Sequence, residues 1–180
     1  LRAGDAWDLT TGWDFTNMSH RRAANKYIDE EKPLVIIGSP PCTPFSQLQT
    51  LNRGSKNERE KWKTGVEHMM FVLSLYRKQV RSGRVFLHEH PKSATSWMLE
   101  EVKRMMAEEG VMVVEADQCM FGLETWGSSR SKLVPAKKPT RFMTNFRALG
   151  TELSKKCDSS HEHQSLVDGR AAHAARYPDG

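Results

Sequence analysis

The chain has 180 residues, of which 38% are hydrophobic and 27% are charged. This balance is typical of one globular domain with a buried core and argues against a disordered polypeptide. No apolar run approaches the roughly 20 residues of a membrane-spanning helix, and the net charge of +5 is compatible with a polyanionic partner without requiring one. Because the chain begins with Leu1 and carries no secretion signal, we expect it to be a piece of a longer protein.

The first third of the chain predicts three elements. Residues 5–9 predict a short strand, and residues 19–31 predict a helix capped by Ser19 and ended by Pro33. The apolar residues 34–38 then predict a buried strand. This strand is followed directly by a proline-rich loop that contains Cys42.

Beyond this loop, helices and strands alternate. Apolar residues at steps of three and four predict a long helix from Asn57 to Gly83, and a strand over residues 84–87 should break at His88. A helix over residues 96–109 and strands over residues 111–114 and around Phe142 follow. Such alternation favours an α/β fold with a doubly wound, mostly parallel sheet. We expect this domain to span residues 1–150, with a tail over residues 151–180 that holds a short helix at residues 170–176.

The cysteines are Cys42, Cys119 and Cys157, an odd and sparse set. They argue against a disulfide framework and for an intracellular, reducing compartment, where the thiol of Cys42 can act as a nucleophile. The two prolines before Cys42 stiffen its turn at the carboxyl edge of the sheet, where open α/β sheets bind ligands. The alternative is that Cys42 is an ordinary small residue in a turn, and that Glu89, after the next strand, is a surface carboxylate.

Two motifs indicate a family. The segment 41–46, Pro-Cys-Thr-Pro-Phe-Ser, resembles the Pro-Cys-Gln-x-Phe-Ser catalytic loop of carbon-5 cytosine methyltransferases. Glu89-His90-Pro91 lines up with the Glu-Asn-Val signature of that family, and the interval leaves room for a crossover helix. Thr43 and His90-Pro91 depart from the family pattern. The resemblance implies a Rossmann-like methyltransferase fold, truncated at the N-terminus because the family's glycine-rich first strand and loop would precede Leu1.

The resemblance also implies a reaction. Cys42 would attack carbon 6 of a cytosine extruded from nucleic acid, with DNA favoured over RNA, while Glu89 holds nitrogen 3 of the ring as an acid. Carbon 5 would then take a methyl group from S-adenosylmethionine. Arg141 resembles the family's substrate-orienting arginine. The residues that resemble the family's cofactor contacts are Asp8, Leu9, Asp14, Phe15 and Pro41.

Other interpretations remain open. Asp8 and Asp14 are also ordinary turn formers, and Arg141 is also an ordinary exposed arginine. The run around Arg141 and the tail resemble methyltransferase-like segments in polyproteins of copia-type retroelements. A catalytically inactive nucleic-acid-binding or assembly module of such a polyprotein is therefore the alternative function. A Cys-His hydrolase that uses His88 or His90 has less support, because no third orienting group accompanies the pair.

The tail and the stretch after the Cys42 loop carry two further sets of residues. Cys157, His161 and His163 are zinc-ligand types, but a structural zinc site needs a fourth ligand. Only Cys119 could supply it, so we assign no metal ligand from the sequence. Basic residues that could bind phosphates follow the loop, or else they form a solvated helix start: Arg53, Lys56, Arg59, Lys61 and Lys63.

Overall fold

The computed structural model describes residues 3–47, 55–129 and 131–166. In these ranges the protein has a mixed α/β fold. The strands are β1 (Val35–Gly38), β2 (Val85–Pro91), β3 (Met112–Asp117), β4 (Glu124–Trp126), β5 (Leu133–Pro135) and β6 (Pro139–Thr144). The helices are α1 (Met18–Glu31), α2 (Lys56–Arg81), α3 (Glu100–Met106) and α4 (Arg147–Leu153). None of the described helices is both long enough and apolar enough to cross a membrane.

The main sheet has four strands in the order β1-β2-β6-β3. β1 and β2 are parallel, whereas β6 is antiparallel to both of its neighbours. The predicted mostly parallel sheet is therefore a mixed sheet, although β1, β2 and β3 share one direction. The reason is the connection between β3 and β6, which holds the β4–β5 hairpin and no crossover helix. Without a crossover the returning strand pairs in the antiparallel sense.

The sheet carries helices on both faces. The predicted apolar face of α2 is confirmed, because Met69, Leu73 and Tyr76 are fully buried in the main core. α1 and α3 contribute to the same core, so these three helices cover one face. α4 packs on β3 and β6, and its residues Leu149 and Leu153 belong to a smaller cluster on the opposite face.

Several element predictions need correction. Residues 5–9 form no strand, because Asp8 caps a 3-10 turn over Leu9–Thr11. The cap of α1 is Asn17, whose side chain accepts the Ser19 N–H, so Ser19 lies inside the helix. The predicted helix over residues 96–109 is divided, because Leu99 has an extended backbone between a 3-10 turn and α3.

The most consequential correction concerns β2. This strand does not break at His88 but continues to Pro91, since His88, Glu89 and His90 pair with β6. Sequence patterning also missed the β4–β5 hairpin and α4, which runs across residue 150. The predicted helix over residues 170–176 and the predicted phosphate contact Arg53 lie outside the described residues.

Candidate active site at the carboxyl ends of β1 and β2

The Cys42 loop follows β1, and Glu89 lies within the neighbouring strand β2. β1 and β2 are parallel neighbours, and their register pairs Gly38 with His88. The loop begins directly after Gly38, and Glu89 directly follows His88. The strand topology therefore starts the Cys42 loop beside β2, whereas Glu89 is the fifth of the seven residues of that strand.

His90 anchors the first half of the loop. Its Nε2 lies 3.1 Å from the carbonyl oxygen of Pro40, and its Nδ1 lies 2.6 Å from Ser96 Oγ. Because a carbonyl only accepts, Nε2 carries the proton of the neutral ring and Ser96 donates to Nδ1. The buried imidazole thus holds the backbone just before Cys42 at a fixed position.

The second half of the loop is held by packing. Phe45 is fully buried beside the His90 ring, and its carbonyl oxygen accepts from Thr95 Oγ1 at 3.2 Å. Pro44 lies so close to Gly65 of α2 that a Cβ on this glycine would come within 2.7 Å of the proline ring. Between these two anchors, Cys42 itself is exposed. The loop therefore presents a thiol to solvent from a fixed backbone.

Tyr76 fixes the end of β1. Its hydroxyl group donates to the carbonyl oxygen of Gly38 at 3.2 Å and lies 3.1 Å from His88 Nδ1. Burial raises the pKa of Tyr76 well above its usual value, and the nearby charge of Glu89 raises it further. The tyrosine is therefore a neutral hydrogen-bonding group that joins α2, β1 and β2.

Glu89 has a buried carboxyl group with an unsatisfied oxygen. Side chains alternate along β2, so Glu89 faces away from His88 and His90, on the side of its cross-strand partner Phe142. It therefore points away from the face on which His90 and α2 hold the Cys42 loop. Only 8% of Glu89 is exposed. Among the described residues, its Oε1 is the one buried side-chain oxygen or nitrogen without a hydrogen-bond partner. Such an atom costs about 1–3 kcal/mol, which makes it a candidate ligand contact.

The surface beside Glu89 is open. On the neighbouring strand, Ile37 pairs with Leu87 and lies on the same face as Glu89. Ile37 is 70% exposed, although it is a large apolar side chain in a strand.

Arg141 is not brought together with Glu89. It pairs across strands with His90, so it lies on the opposite face of the sheet. Its Nε donates to Glu115 at 3.0 Å, and its guanidinium group lies 5.9 Å from the centre of the Trp97 ring. These contacts give Arg141 a structural role between β3 and β6.

The predicted cofactor residues at the start of the chain lie against α1 and α2. Asp8 and Asp14 accept hydrogen bonds from Thr10 and Thr16, the pattern expected of turn formers. Phe15 packs on Phe71 of α2, at 5.1 Å between ring centres. Leu9 is 70% exposed, and Pro41 lies in the loop at the end of β1.

His88 and His90 are buried neutral rings. Burial lowers the pKa of His88 to about 3 and that of His90 to about 4. Because hydrogen bonds engage both nitrogens of His90, this ring is not available as a base for Cys42. The geometry therefore disfavours the hydrolase alternative in its His90 form.

The burial of these histidines predicts acid sensitivity. The unfolded chain takes up protons near pH 6.5, whereas the folded rings resist protonation down to about pH 4 for His90 and about pH 3 for His88. The contribution of the two neutral rings to the free energy of unfolding is therefore fully present above pH 6.5. It falls as the pH decreases, by up to about 1.4 kcal/mol per pH unit for each ring.

Urea denaturation between pH 7 and pH 5 measures this slope. Glu115 does not take up a proton in this range, because hydrogen bonds, chiefly the one from Lys92, lower its pKa to about 2. The variant His88→Gln should lose the part of the slope that this ring contributes, while His68 and His163, whose pKa values burial also lowers, keep theirs. A free energy of unfolding that is constant between pH 7 and pH 5 would contradict the buried neutral rings.

The structure also brings Cys119 to the tail, which the sequence left open. Cys157 Sγ lies 3.7 Å from His161 Nε2 and 3.3 Å from His163 Nε2. With Cys119, the ligand atoms of these residues all lie within 4.8 Å of one another. Burial, together with the neighbouring Cys157 thiol, raises the pKa of Cys119 to about 11.

The basic stretch lies beside the loop. The exposed residues Lys56, Arg59, Lys61 and Lys63 occupy the first turns of α2, and contact between Gly65 and Pro44 places this end of the helix next to the Cys42 loop. Lys61 forms an ion pair with Glu58 at 2.9 Å. The position is compatible with phosphate contacts close to the candidate nucleophile.

Sequence reasoning missed the anchoring roles of His90, Ser96 and Tyr76. The alternation His88-Glu89-His90 was the available signal, because in a strand it places two histidines on one face and the carboxyl group on the other.

Comparison of the chain with protein-family models, curated proteins and solved structures gives no match.

Proposed function

We propose that this protein is a cytosine-C5 methyltransferase-like domain that uses Cys42 as the nucleophile and Glu89 as the acid. The observation that carries the proposal is the buried Oε1 of Glu89, which has no hydrogen-bond partner and lies on the strand next to the one that leads into the exposed Cys42. A carboxyl group in this state is suited to hold one edge of a bound ring. The resemblance of both motifs to the family supplies the substrate and the methyl donor.

The reaction can be written in balanced steps. The Cys42 thiolate forms a bond to carbon 6 of an extruded cytosine while Glu89 donates a proton or a hydrogen bond to nitrogen 3. Carbon 5, now enamine-like, takes the methyl group of S-adenosylmethionine, which leaves as S-adenosylhomocysteine. A solvent water takes the proton from carbon 5, the electrons of that bond re-form the double bond between carbons 5 and 6 and expel the thiolate, and nitrogen 3 returns its proton to Glu89.

Two further observations support the proposed Rossmann-like methyltransferase fold. β1, β2 and β3 share one direction, and α2 connects β1 to β2 while α3 connects β2 to β3 on the same face of the sheet. Ligand sites of such sheets lie at the carboxyl ends of the strands. The Cys42 loop follows the carboxyl end of β1, beside β2, which carries Glu89.

A second candidate is the catalytically inactive nucleic-acid-binding or assembly module. The contacts of Asp8, Asp14 and Arg141 favour it, because these side chains cap turns or bind Glu115. Such a module would keep the fold and the basic start of α2 but would not activate cytosine. An assay of cytosine activation by Cys42 and Glu89, without the methyl donor, distinguishes the two functions.

Exchange of the hydrogen on carbon 5 is this test, because it requires only addition of the thiolate, protonation of carbon 5 by solvent, loss of the tritium and elimination of the thiolate. With an oligonucleotide that carries 5-tritiated cytosine, and without S-adenosylmethionine, we expect tritium release by the protein and none by Cys42→Ser. Circular dichroism of both proteins controls for folding. Binding of the oligonucleotide without tritium release would overturn the methyltransferase proposal and favour the module.

A second arm tests methyl transfer. With S-adenosylmethionine and an oligonucleotide that contains 5-fluorocytosine, elimination is blocked and the covalent adduct should persist. Peptide mapping should locate the adduct at Cys42, with Cys119 and Cys157 as internal controls. An adduct at either of these other thiols would contradict the assignment of the nucleophile.

A further inference from the structure

The second cluster of chemically reactive side chains lies at the carboxyl end of β3. Cys119 belongs to the 3-10 turn that follows Asp117, and the tail returns to this turn after α4. Two thiols and two imidazoles converge here from segments far apart in the sequence. The cluster takes no part in the proposed methyl transfer.

We infer that one zinc ion is bound in a tetrahedral site by four side chains: Cys119, Cys157, His161 and His163. Zinc takes Cys2His2 sets of this kind in closed structural sites. With Zn–S near 2.3 Å and Zn–N near 2.0–2.1 Å, a tetrahedron separates sulfur and nitrogen by about 3.6 Å. The observed distances of 3.7 Å and 3.3 Å from Cys157 Sγ to the two Nε2 atoms match this separation.

The surroundings support the ligand set. The backbone N–H of Cys157 donates to Asp117 Oδ2 at 3.0 Å, and the N–H of Ser159 donates to Cys157 Sγ at 3.2 Å. Hydrogen bonds of this kind orient the ligands of a metal and stabilise a thiolate. Neither hydrogen bond involves His161 or His163, so these bonds alone already fix the position of Cys157 Sγ.

The tail is fixed to β3 just before the cluster. The N–H of Asp117 donates to the carbonyl oxygen of Lys155 at 2.9 Å, and Lys156 binds Glu115 at 2.9 Å. Glu115 also binds Lys92 and Arg141. Lys155 and Lys156 are therefore already fixed to β3. The metal would in addition hold residues 157–163 against the turn that follows β3.

The donor set selects the metal class. Thiolate and imidazole together favour zinc over magnesium and calcium, which prefer oxygen ligands. Since the protein supplies four ligands, no position remains for a reacting water, and the site is structural. Binding converts two thiols to thiolates and releases two protons, so the ion and its ligands carry no net charge.

Zinc content of the untagged full chain, purified under a thiol-free reductant, tests the inference. We expect one equivalent of zinc after dialysis of the protein, and less than about a tenth of an equivalent in Cys157→Ser and His163→Gln. Cys42→Ser and His68→Gln are matched controls outside the cluster and should keep the metal. A wild-type protein without zinc after reconstitution, or equal loss in Cys42→Ser, would overturn the inference.

Two readouts locate the metal even if a variant folds poorly. Cobalt in place of zinc should show visible bands of a tetrahedral site and a thiolate charge-transfer band in the wild-type protein. Trypsin cleavage after Lys155 and Lys156 should slow on addition of zinc and recover with a chelator. Cobalt spectra without thiolate bands, or cleavage that zinc does not change, would contradict a clamp at this position. Neither readout depends on methyl transfer, so both stand apart from the tests of Cys42.

Discussion

Replacement of Glu89 by methionine is expected to lower the rate of Cys42-dependent tritium release by about 10²–10⁴-fold, the usual contribution of a general acid. The same change should leave the free energy of unfolding unchanged or raise it. Methionine has a similar length and no polar atoms, and the cross-strand partner of Glu89 is the apolar Phe142. The change removes a buried oxygen that has no partner and costs about 1–3 kcal/mol.

The two measurements together separate a functional carboxyl group from a structural one. Tritium release gives the first, and urea denaturation of the same protein gives the second. Glu100→Gln is the matched control, because Glu100 is a carboxylate that binds Lys103 on the surface of α3. A loss of stability above about 1 kcal/mol in Glu89→Met would show that the carboxyl group serves the fold, and undiminished tritium release would remove it from the mechanism.

Replacement of Gly38 by alanine is expected to destabilise the protein by about 3 kcal/mol, at the upper end of the usual cost of overpacking. A Cβ on Gly38 would lie 2.0 Å from the hydroxyl oxygen of Tyr76 and 3.0 Å from its Cζ. Tyr76 is fully buried, and hydrogen bonds to Gly38 and His88 hold its hydroxyl group. Neither the side chain nor the end of β1 can therefore move without loss of contacts.

A double-mutant cycle with Tyr76→Phe tests this cause. Removal of the hydroxyl group costs stability by itself but also opens space beside Gly38. The effects of Gly38→Ala and Tyr76→Phe should therefore be less than additive, with a coupling of about 0.5–3 kcal/mol in urea denaturation. Gly4→Ala is the control, because nothing lies within 4 Å of its Cβ position. Strict additivity would show that the clash is relieved elsewhere.

Local patterns in the sequence predicted the elements that depend on local signals. The run before Cys42 forms β1, and the steps of three and four in α2 bury Met69 and Leu73. The prediction that β1 is buried is wrong, because β1 is an edge strand and Ile37 is 70% exposed. The continuation of β2 through His88 and His90 was not predictable in this way, because their polarity argues against a buried strand. Their pairing partners lie in β6, about fifty residues further along the chain.

The candidate site shows the same division. The motif spacing placed Cys42 and Glu89 on neighbouring parallel strands, which the structure has, but Glu89 lies inside β2 and not at its end. The sequence did not show that Glu89 Oε1 lacks a partner, or that His90 binds Pro40. It also could not place Cys119 beside Cys157, since the approach of the tail to β3 depends on the position of α4. Each of these features arises from contacts between distant segments.

The insertion of β6 between β2 and β3 has a consequence for biosynthesis. β2 and β3 share no hydrogen bonds with each other and are joined only through β6, which is the last strand of the sheet in chain order. A nascent polypeptide that has not yet emerged beyond Thr144 can form the β1–β2 pair but leaves β3 unattached. Translation must therefore supply nearly the whole domain before the sheet closes, which gives chaperones a long interval in which to engage the exposed edge of β2.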